Sequence, residues 1–183
     1  MLSLFLLAGT GCKDDAISPP PPQPRTFTFD AAGLPGTAES EIAWGDYDND
    51  GDLDLALTGR DDDSNCYSRV YRNDSGAFTD INAGMVTVLN STIAWGDYDN
   101  DGDLDLAVAG RCYGGVSEWE SKIYRNNAGN FVDIGATITG LAGSSFAWGD
   151  YDNDGDLDLA VSGYWTDGTF YFICEVYRND EGV

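Results

Sequence analysis

The 183-residue sequence contains no histidine and only nine lysine and arginine residues. The absence of histidine excludes a Ser-His-Asp triad, a Cys-His pair and an HExxH zinc motif. Against the nine basic residues stand 32 acidic ones, which gives a formal net charge of −23. Nucleic acid is excluded as a partner on this ground, because phosphate recognition needs clusters of lysine and arginine. The sequence therefore favours a non-catalytic protein that does not bind nucleic acid.

Long hydrophobic runs are also missing, since the apolar run Leu2–Ala8 is too short to span a bilayer. Small residues and Cys12 follow it, so residues 1–12 are predicted to be a signal peptide ending at a lipobox-like cysteine. Cys12 would be lipidated, and this lipid anchor would be the only membrane contact. Gly9 and the lack of a basic residue before the run depart from the usual pattern, so a plain secretory signal stays open. We expect a bacterial lipoprotein of the outer membrane or cell surface, or otherwise a secreted protein.

Residues 13–25 form a proline-rich linker that has too few apolar residues for a core. At ~3.1 Å per residue, an extended polyproline segment of this length would act as a stalk of roughly 40 Å. Beyond it, three cysteines occupy different places in the sequence repeat described next. Cys66 and Cys112 are predicted to lie in loops after the second strands of adjacent repeats, where they could pair in an oxidising compartment.

The chain is rich in repetition instead. Trp44, Trp95 and Trp148 recur at intervals of 51 and 53 residues, each within Ala-Trp-Gly followed by the nine residues DYDNDGDLD. A period near 50 is typical of solenoids and propellers. Each copy of the nine residues places five carboxylates in one turn, and like charges so close together repel one another unless a cation neutralises them.

The spacing of these carboxylates predicts Ca²⁺, about three ions with one per loop. Side-chain oxygens at positions 1, 3 and 5, glycine at 6, a backbone carbonyl at 7 and a carboxylate at 9 give the all-oxygen shell that Ca²⁺ prefers, whereas Mg²⁺ fits less well. A solvated acidic turn without metal is the plainer alternative. The predicted metal residues are Asp46, Asp48, Asp50, Asp52, Asp54, Asp97, Asp99, Asp101, Asp103, Asp105, Asp150, Asp152, Asp154, Asp156 and Asp158.

Each loop is predicted to join two strands. An EF-hand would need a polar ligand at position 12, but Leu57, Val108 and Val161 stand there within apolar runs that alternate with period two. A third strand ending in Tyr-Arg-Asn and a short fourth strand, Phe78–Ile81 or Phe131–Ile134, complete the repeat. The fold class is therefore all-β, with propeller-type blades of four antiparallel strands in three repeats.

The motifs AWGDYDNDGDLDLAVxG and IYRNN resemble the FG-GAP/VCBS repeats of integrin-alpha-like β-propellers. The resemblance covers about residues 26–183, with motifs at 42–59, 93–110 and 146–163. It implies a seven- or eight-bladed wheel with calcium in its hairpins, whereas three repeats are too few to close a ring. We therefore expect a partial or open propeller, in which 26–30 supplies a strand to another blade and the uncovered ends favour self-association or further blades.

The loops opposite the acidic turns vary between repeats, as binding loops on a rigid frame do. They suggest a glycan or protein ligand, with packing over blade edges as the alternative for each residue. The predicted ligand residues are Arg60, Tyr67, Arg111, Tyr113, Trp119, Tyr164 and Trp165. A calcium-stabilised adhesion or ligand-binding protein is the favoured function, and the propeller part of a polysaccharide-degrading enzyme such as a lyase is the alternative.

Overall fold

The computed structural model describes residues 27–28, 32–111 and 119–180. The chain divides into two units, Met1–Asp30 and Ala31–Val183. The predicted signal peptide, Cys12, the proline-rich linker, Cys112 and Tyr113 all lie outside the described residues. Of the first unit only Phe27 and Thr28 are described, and neither is in a strand. The prediction of a strand over 26–30 is therefore wrong for these two residues.

The second unit is all-β, as predicted, and consists of three antiparallel sheets with four, four and three strands among the described residues. Each sheet corresponds to one sequence repeat and is called blade one, two or three. Blade one contains β1 Ala38–Gly45, β2 Asp54–Arg60, β3 Cys66–Asp74 and β4 Ala77–Asp80; blade two contains β5 Leu89–Gly96, β6 Asp105–Arg111, β7 Trp119–Asn127 and β8 Asn130–Asp133; blade three contains β9 Ala142–Gly149, β10 Asp158–Thr166 and β11 Phe170–Tyr177.

None of these described sheets closes into a barrel, and within each blade the strands follow one another in chain order. This meander is the arrangement of an open or partial propeller. The described residues form no helix that is long and apolar enough to cross a membrane.

In blades one and two, the alternating apolar pattern of the second strand reflects burial on both faces. Leu55 and Leu57 pack with Tyr71 on one face of blade one, while Ala56 and Val70 on the other face pack against blade two. We call the face with the two leucines the leading face and the face with Ala56 the trailing face, and we use the same terms for the corresponding faces of the other blades. Because both faces of β2 are covered, the strand carries no charged residue between its ends.

Two of the three repeated tryptophans, Trp95 and Trp148, lie between blades. Trp95 Nε1 donates a hydrogen bond of 3.2 Å to the Ala43 carbonyl of blade one, and Trp148 Nε1 donates one of 3.3 Å to Ala94 of blade two. The Trp95 ring also stacks on Tyr47 of the preceding blade, with 6.4 Å between centroids and 10° between planes. Each of these two tryptophans therefore joins the leading face of its own blade to the trailing face of the blade before it.

The glycine of Ala-Trp-Gly makes room for this contact. A Cβ atom at Gly45 would lie 2.8 Å from the Trp95 ring, and one at Gly96 would lie 2.6 Å from the Trp148 ring. Both distances are too short for a side chain, so the glycine is required by the neighbouring indole and not by its own backbone angles.

The variable loops are shorter than the sequence suggested. Tyr164 and Trp165 belong to β10 and Phe170 opens β11, so the loop of blade three contains only residues 167–169. In blade one, Cys66 and Tyr67 lie in β3 instead of the loop, and Cys66 carries a free thiol. Alternating aromatic residues suit a strand as well as a binding loop, which is why the loops were predicted too long.

We expect the Gly96→Ala substitution to destabilise the junction between blades two and three, because the added methyl group collides with Trp148. The expected loss in the free energy of unfolding is about 1–3 kcal/mol, the usual cost of overpacking, and urea unfolding followed by tryptophan fluorescence measures it. Gly36→Ala is the control, since a Cβ there meets nothing within 4 Å. Equal stability of the two variants would contradict the assigned role of Gly96.

Candidate metal centres in the acidic loops

Each acidic loop is folded tightly by two residues with left-handed backbone. In the first loop these are Asn49, with φ of 58°, and Gly51, with φ of 94°. Asparagine and glycine tolerate this region better than other residues. The resulting bend lets Asp46 accept hydrogen bonds from the backbone amides of Asp50 and Gly51, at 3.1 and 3.0 Å. The loop therefore closes on its first carboxylate.

This bend gathers the carboxylates at positions 1, 3 and 5. Carboxylate oxygens of Asp46, Asp48 and Asp50 all lie within 4.8 Å of one another, and those of Asp97, Asp99 and Asp101 form the same group in the second loop. An all-oxygen group of this kind suits a hard cation such as Ca²⁺. The structure thus brings together three of the five predicted side chains in each of these loops.

Two oxygens in these groups lack a hydrogen-bond partner among the described residues although solvent does not reach them: Asp48 Oδ1 and Asp97 Oδ1. A buried acceptor without a partner costs free energy, and a bound cation would remove that cost. Burial, with repulsion from Asp50, raises the pKa of Asp48, and burial with repulsion from Asp101 does the same for Asp99. The residues present therefore fit a cation.

The third loop groups its carboxylates differently. Asp150 and Asp152 lie with Asp158, and Asp152 also lies with Asp154 and Asp180. Asp180 follows β11 and was missed by the sequence prediction because it is outside the nine-residue motif. The recurring Tyr-Arg-Asn motif is the sequence feature that could have predicted it, because in blade three the residue after this motif lies beside the acidic loop. Arg178 of this motif contacts Asp152 at 3.3 Å and also pairs with Asp180.

The aspartate at position 9 has a structural role in every blade. Asp54 is fully buried and accepts backbone hydrogen bonds from Tyr47 at 3.1 Å and Asn73 at 2.8 Å. Asp105 and Asp158 accept the corresponding pairs of bonds in blades two and three. This carboxylate therefore ties the loop to the third strand. It lies within a carboxylate group that could hold a metal only in the third loop, and its assignment as a ligand stays a prediction in all three loops.

The side chain at position 7 connects neighbouring structures instead of joining the carboxylate group. Asp52 accepts a hydrogen bond of 2.7 Å from the Ser75 amide. Asp103 accepts one of 2.9 Å from the Asn49 side chain of the preceding loop, and Asp156 accepts one of 2.7 Å from Asn100. Position 7 was predicted to ligate through its backbone carbonyl, which leaves the side chain available for these bonds.

The predicted ligand residues do not form one site. In blade one, Arg60 lies 3.0 Å from Glu39, and the Tyr67 hydroxyl bonds to the hydroxyl of Tyr71. These contacts favour the alternative of packing at the blade edge for both residues.

A second group of predicted ligand residues does come together. The Arg111 guanidinium lies 5.2 Å from the Trp119 ring centre, and the Trp119 ring meets the Tyr164 ring edge-on at 5.8 Å. Trp165 stacks instead on Tyr171, with ring centres 4.3 Å apart.

Two aromatic residues that the prediction did not select extend the group around Tyr164: Phe170 and Phe172. Phe170 lies 5.4 Å from Tyr164, and Phe172 lies 6.5 Å from it. We call the rings of Trp119, Tyr164, Phe170 and Phe172 the aromatic patch. Trp165 and Tyr171 lie at the alternate positions of β10 and β11, and therefore on the opposite face of this hairpin. The aromatic patch surrounds the β10–β11 turn, at the opposite end of blade three from its acidic loop.

The sheets, the tryptophan junctions and the repeated loops agree with a comparison against known families. The profile of the FG-GAP-like repeat matches residues 46–108 and 111–161, which together make up more than half of the chain. The chain belongs to the FG-GAP-like repeat family. No curated protein matches it. An FG-GAP-like assignment agrees with a repeat protein of the integrin-like propeller kind, and the second match ends at Val161, inside β10.

The buried Asp105 makes the metal-free protein sensitive to pH. Burial raises the pKa of Asp105 from 3.8 to about 6. Because the pKa of Asp105 is higher in the folded state than in the unfolded state, the stability that its protonated form contributes is fully present below the unfolded-state pKa of 3.8. This contribution is lost as the pH rises through about 6. In chelator we expect the free energy of unfolding to fall by about 1 kcal/mol between about pH 5 and pH 7, as measured by urea unfolding. Asp105→Asn should be less stable overall but show a flatter profile, and an unchanged profile would refute the assignment.

Proposed function

We propose that this FG-GAP-like protein is a non-catalytic, calcium-stabilised binding module at the bacterial cell surface, where it binds a glycan or a protein. The observation that carries the calcium part is the pair of inaccessible, unpartnered oxygens of Asp48 and Asp97 within closely grouped carboxylates. Bound Ca²⁺ would supply positive charge and fix the loop geometry. Asp46, Asp48 and Asp50 would hold it in blade one, and the equivalent residues in blade two.

The choice of Ca²⁺ rests on the chemistry of the donors. The carboxylate groups contain only oxygen, and the chain has no histidine to provide nitrogen. Zinc and copper prefer nitrogen or sulfur, whereas Ca²⁺ takes six to eight oxygens in a flexible shell. Extracellular calcium modules bind on the order of 10⁻⁴ to 10⁻³ M, which suits a surface protein whose ions are structural.

The aromatic patch supports the binding part of the proposal. Phe172 is 81% exposed and Phe170 is 61% exposed, so their apolar surface is not needed by the core. Large exposed rings with an arginine nearby are typical of sites that stack on sugars or anchor a protein partner. A rigid two-stranded hairpin presents them, which lowers the entropy lost on binding.

An enzymatic function is less well supported than a binding function for two reasons. The sequence has no histidine for a base, and the buried Asp54, Asp105 and Asp158 already accept backbone hydrogen bonds. Surface tethering would come from Cys12 and the linker at 13–25, outside the described residues. Such a stalk would hold the module away from the membrane.

We expect Ca²⁺ to raise the melting temperature by more than about 5 °C over chelator, because binding to the folded state alone stabilises it. Two variants of the middle loop separate the roles of its carboxylates. Asp99→Ala should lose much of the calcium effect yet be at least as stable as the parent in chelator, since a repelling charge is removed. Asp105→Ala should be less stable in both conditions, because two backbone amides lose their acceptor. Superimposable melting curves with and without Ca²⁺ would refute the calcium role.

We expect a glycan or peptide array to detect binding that depends on the aromatic patch. Phe170→Ala and Phe172→Ala should each weaken the binding at least ~10-fold, the usual loss at an interface hot spot. Val132→Ala is the matched control, since Val132 is an exposed apolar residue of blade two outside the patch. An equal loss of binding in all three variants would contradict the role of the aromatic patch in binding. Turnover of a polysaccharide would favour the enzyme alternative.

A further inference from the structure

The two ends of the blade stack expose residues whose counterparts are buried at the internal junctions. On the trailing face of blade three, Tyr151 is 58% exposed, whereas Tyr47 and Tyr98 at the same repeat position are each 4% exposed. Val176 is 55% exposed, and its counterpart Val70 is fully buried. A Cβ at Gly149 would meet nothing within 4 Å, in contrast to the tryptophan contacts of the corresponding glycines. We call the space beside Gly149, bordered by Ala147 and Tyr151, the open slot.

The leading face of blade one carries the group that fills such a slot elsewhere. Trp44 is 55% exposed, and Ile42 on the same face is 55% exposed where its counterpart Ile93 is 5% exposed. Trp44 already lies beside Phe78 at 6.1 Å, as Trp95 lies beside Phe131 at 6.0 Å. The indole is therefore held in the arrangement that it has when it is seated in a slot.

The polar groups at the two ends match as well. At the internal junctions, Asn126 donates to the Tyr47 carbonyl at 2.7 Å, and Asn179 donates to the Tyr98 carbonyl at 2.8 Å. The equivalent donor on blade one is Asn73, and the equivalent acceptor on blade three is the Tyr151 carbonyl. Among the described residues, Asn73 Nδ2 donates a hydrogen bond to the Leu53 carbonyl within its own blade. It makes no bond there that corresponds to the bond of Asn126 with the preceding blade.

We propose that the leading face of blade one binds the trailing face of blade three in a second copy of this chain, with Trp44 in the open slot. A second copy satisfies both ends with groups that the chain itself carries, whereas one further blade beyond blade three would leave Trp44 exposed. The contact joins two different surfaces, so it is heterologous and continues head to tail into longer assemblies or rings. This inference does not depend on calcium binding. The face that it assigns to the contact also carries Phe170 and Phe172, which lie on the same side of β11 as Val176.

Sedimentation velocity over a wide concentration range tests the proposal with the full chain. We measure it in Ca²⁺ and at moderate ionic strength, because copies with a net charge of −23 repel one another. The parent should form assemblies that grow with concentration. Gly149→Ala should weaken association by ~10-fold or more, since its methyl group occupies the slot, and its melting temperature when dilute should equal that of the parent. Trp44→Ala should weaken association to a similar extent.

Mixing the two variants gives the sharpest result. Gly149→Ala keeps its tryptophan and Trp44→Ala keeps its slot, so an equimolar mixture should form one-to-one heterodimers that grow no further. Val132→Ala is the control and should assemble like the parent. A monomeric parent at every concentration, variants that assemble like the parent, or a mixture that stays monomeric would each overturn the proposal.

Discussion

The packing of each tryptophan against the glycine of the preceding blade is the constraint on which the rest of the structure depends. It is a steric constraint, because a methyl group at Gly45 or Gly96 would overlap the indole. It is also directional, because the indole N–H reaches one particular carbonyl, that of Ala43 or Ala94. Together these contacts fix the spacing and the register of neighbouring sheets, and every loop is positioned relative to the next by them.

This register places the acidic loops side by side and so concentrates negative charge along one edge of the stack. The amides of Asn49 and Asn100 bridge successive loops through Asp103 and Asp156. The middle loop has neighbours on both sides, and its Asp105 is buried deeply enough for the pKa to rise to about 6. The free-energy cost of ionising Asp105 therefore arises where the loop is packed between two neighbours.

Periodicity allowed much of this structure to be predicted. The recurring Trp95 and Trp148 indicated the repeat period and so the blades. The alternating residues around Leu57 predicted the second strand, because burial on both faces leaves a strong apolar pattern. The short fourth strands begin one residue earlier than predicted, at Ala77 and Asn130. Their ends are set by hairpin geometry, which composition reflects only weakly.

The parts that escaped prediction depend on contacts between distant residues. Asp180 joins the third loop from beyond β11, and no spacing within the nine-residue motif reveals it. Phe170 and Phe172 were not among the predicted ligand residues, because only the pairing of β11 with β10 brings them beside Tyr164. A sequence motif therefore predicts where a candidate site lies, but the tertiary structure determines which further side chains lie beside that site.

The loop divides its carboxylates between two tasks, and this division explains how five of them are tolerated. Asp105 at position 9 accepts hydrogen bonds from the backbone amides of Tyr98 and Asn126, so it ties the loop to β7 with donors that the chain itself supplies. Asp97, Asp99 and Asp101 instead face one another, and repulsion among them is balanced by few donors. Removal of a cation would loosen the tip of the loop before it separated the strands. The side chains that tie the loop to the sheet are thus different from those that would bind the proposed cation.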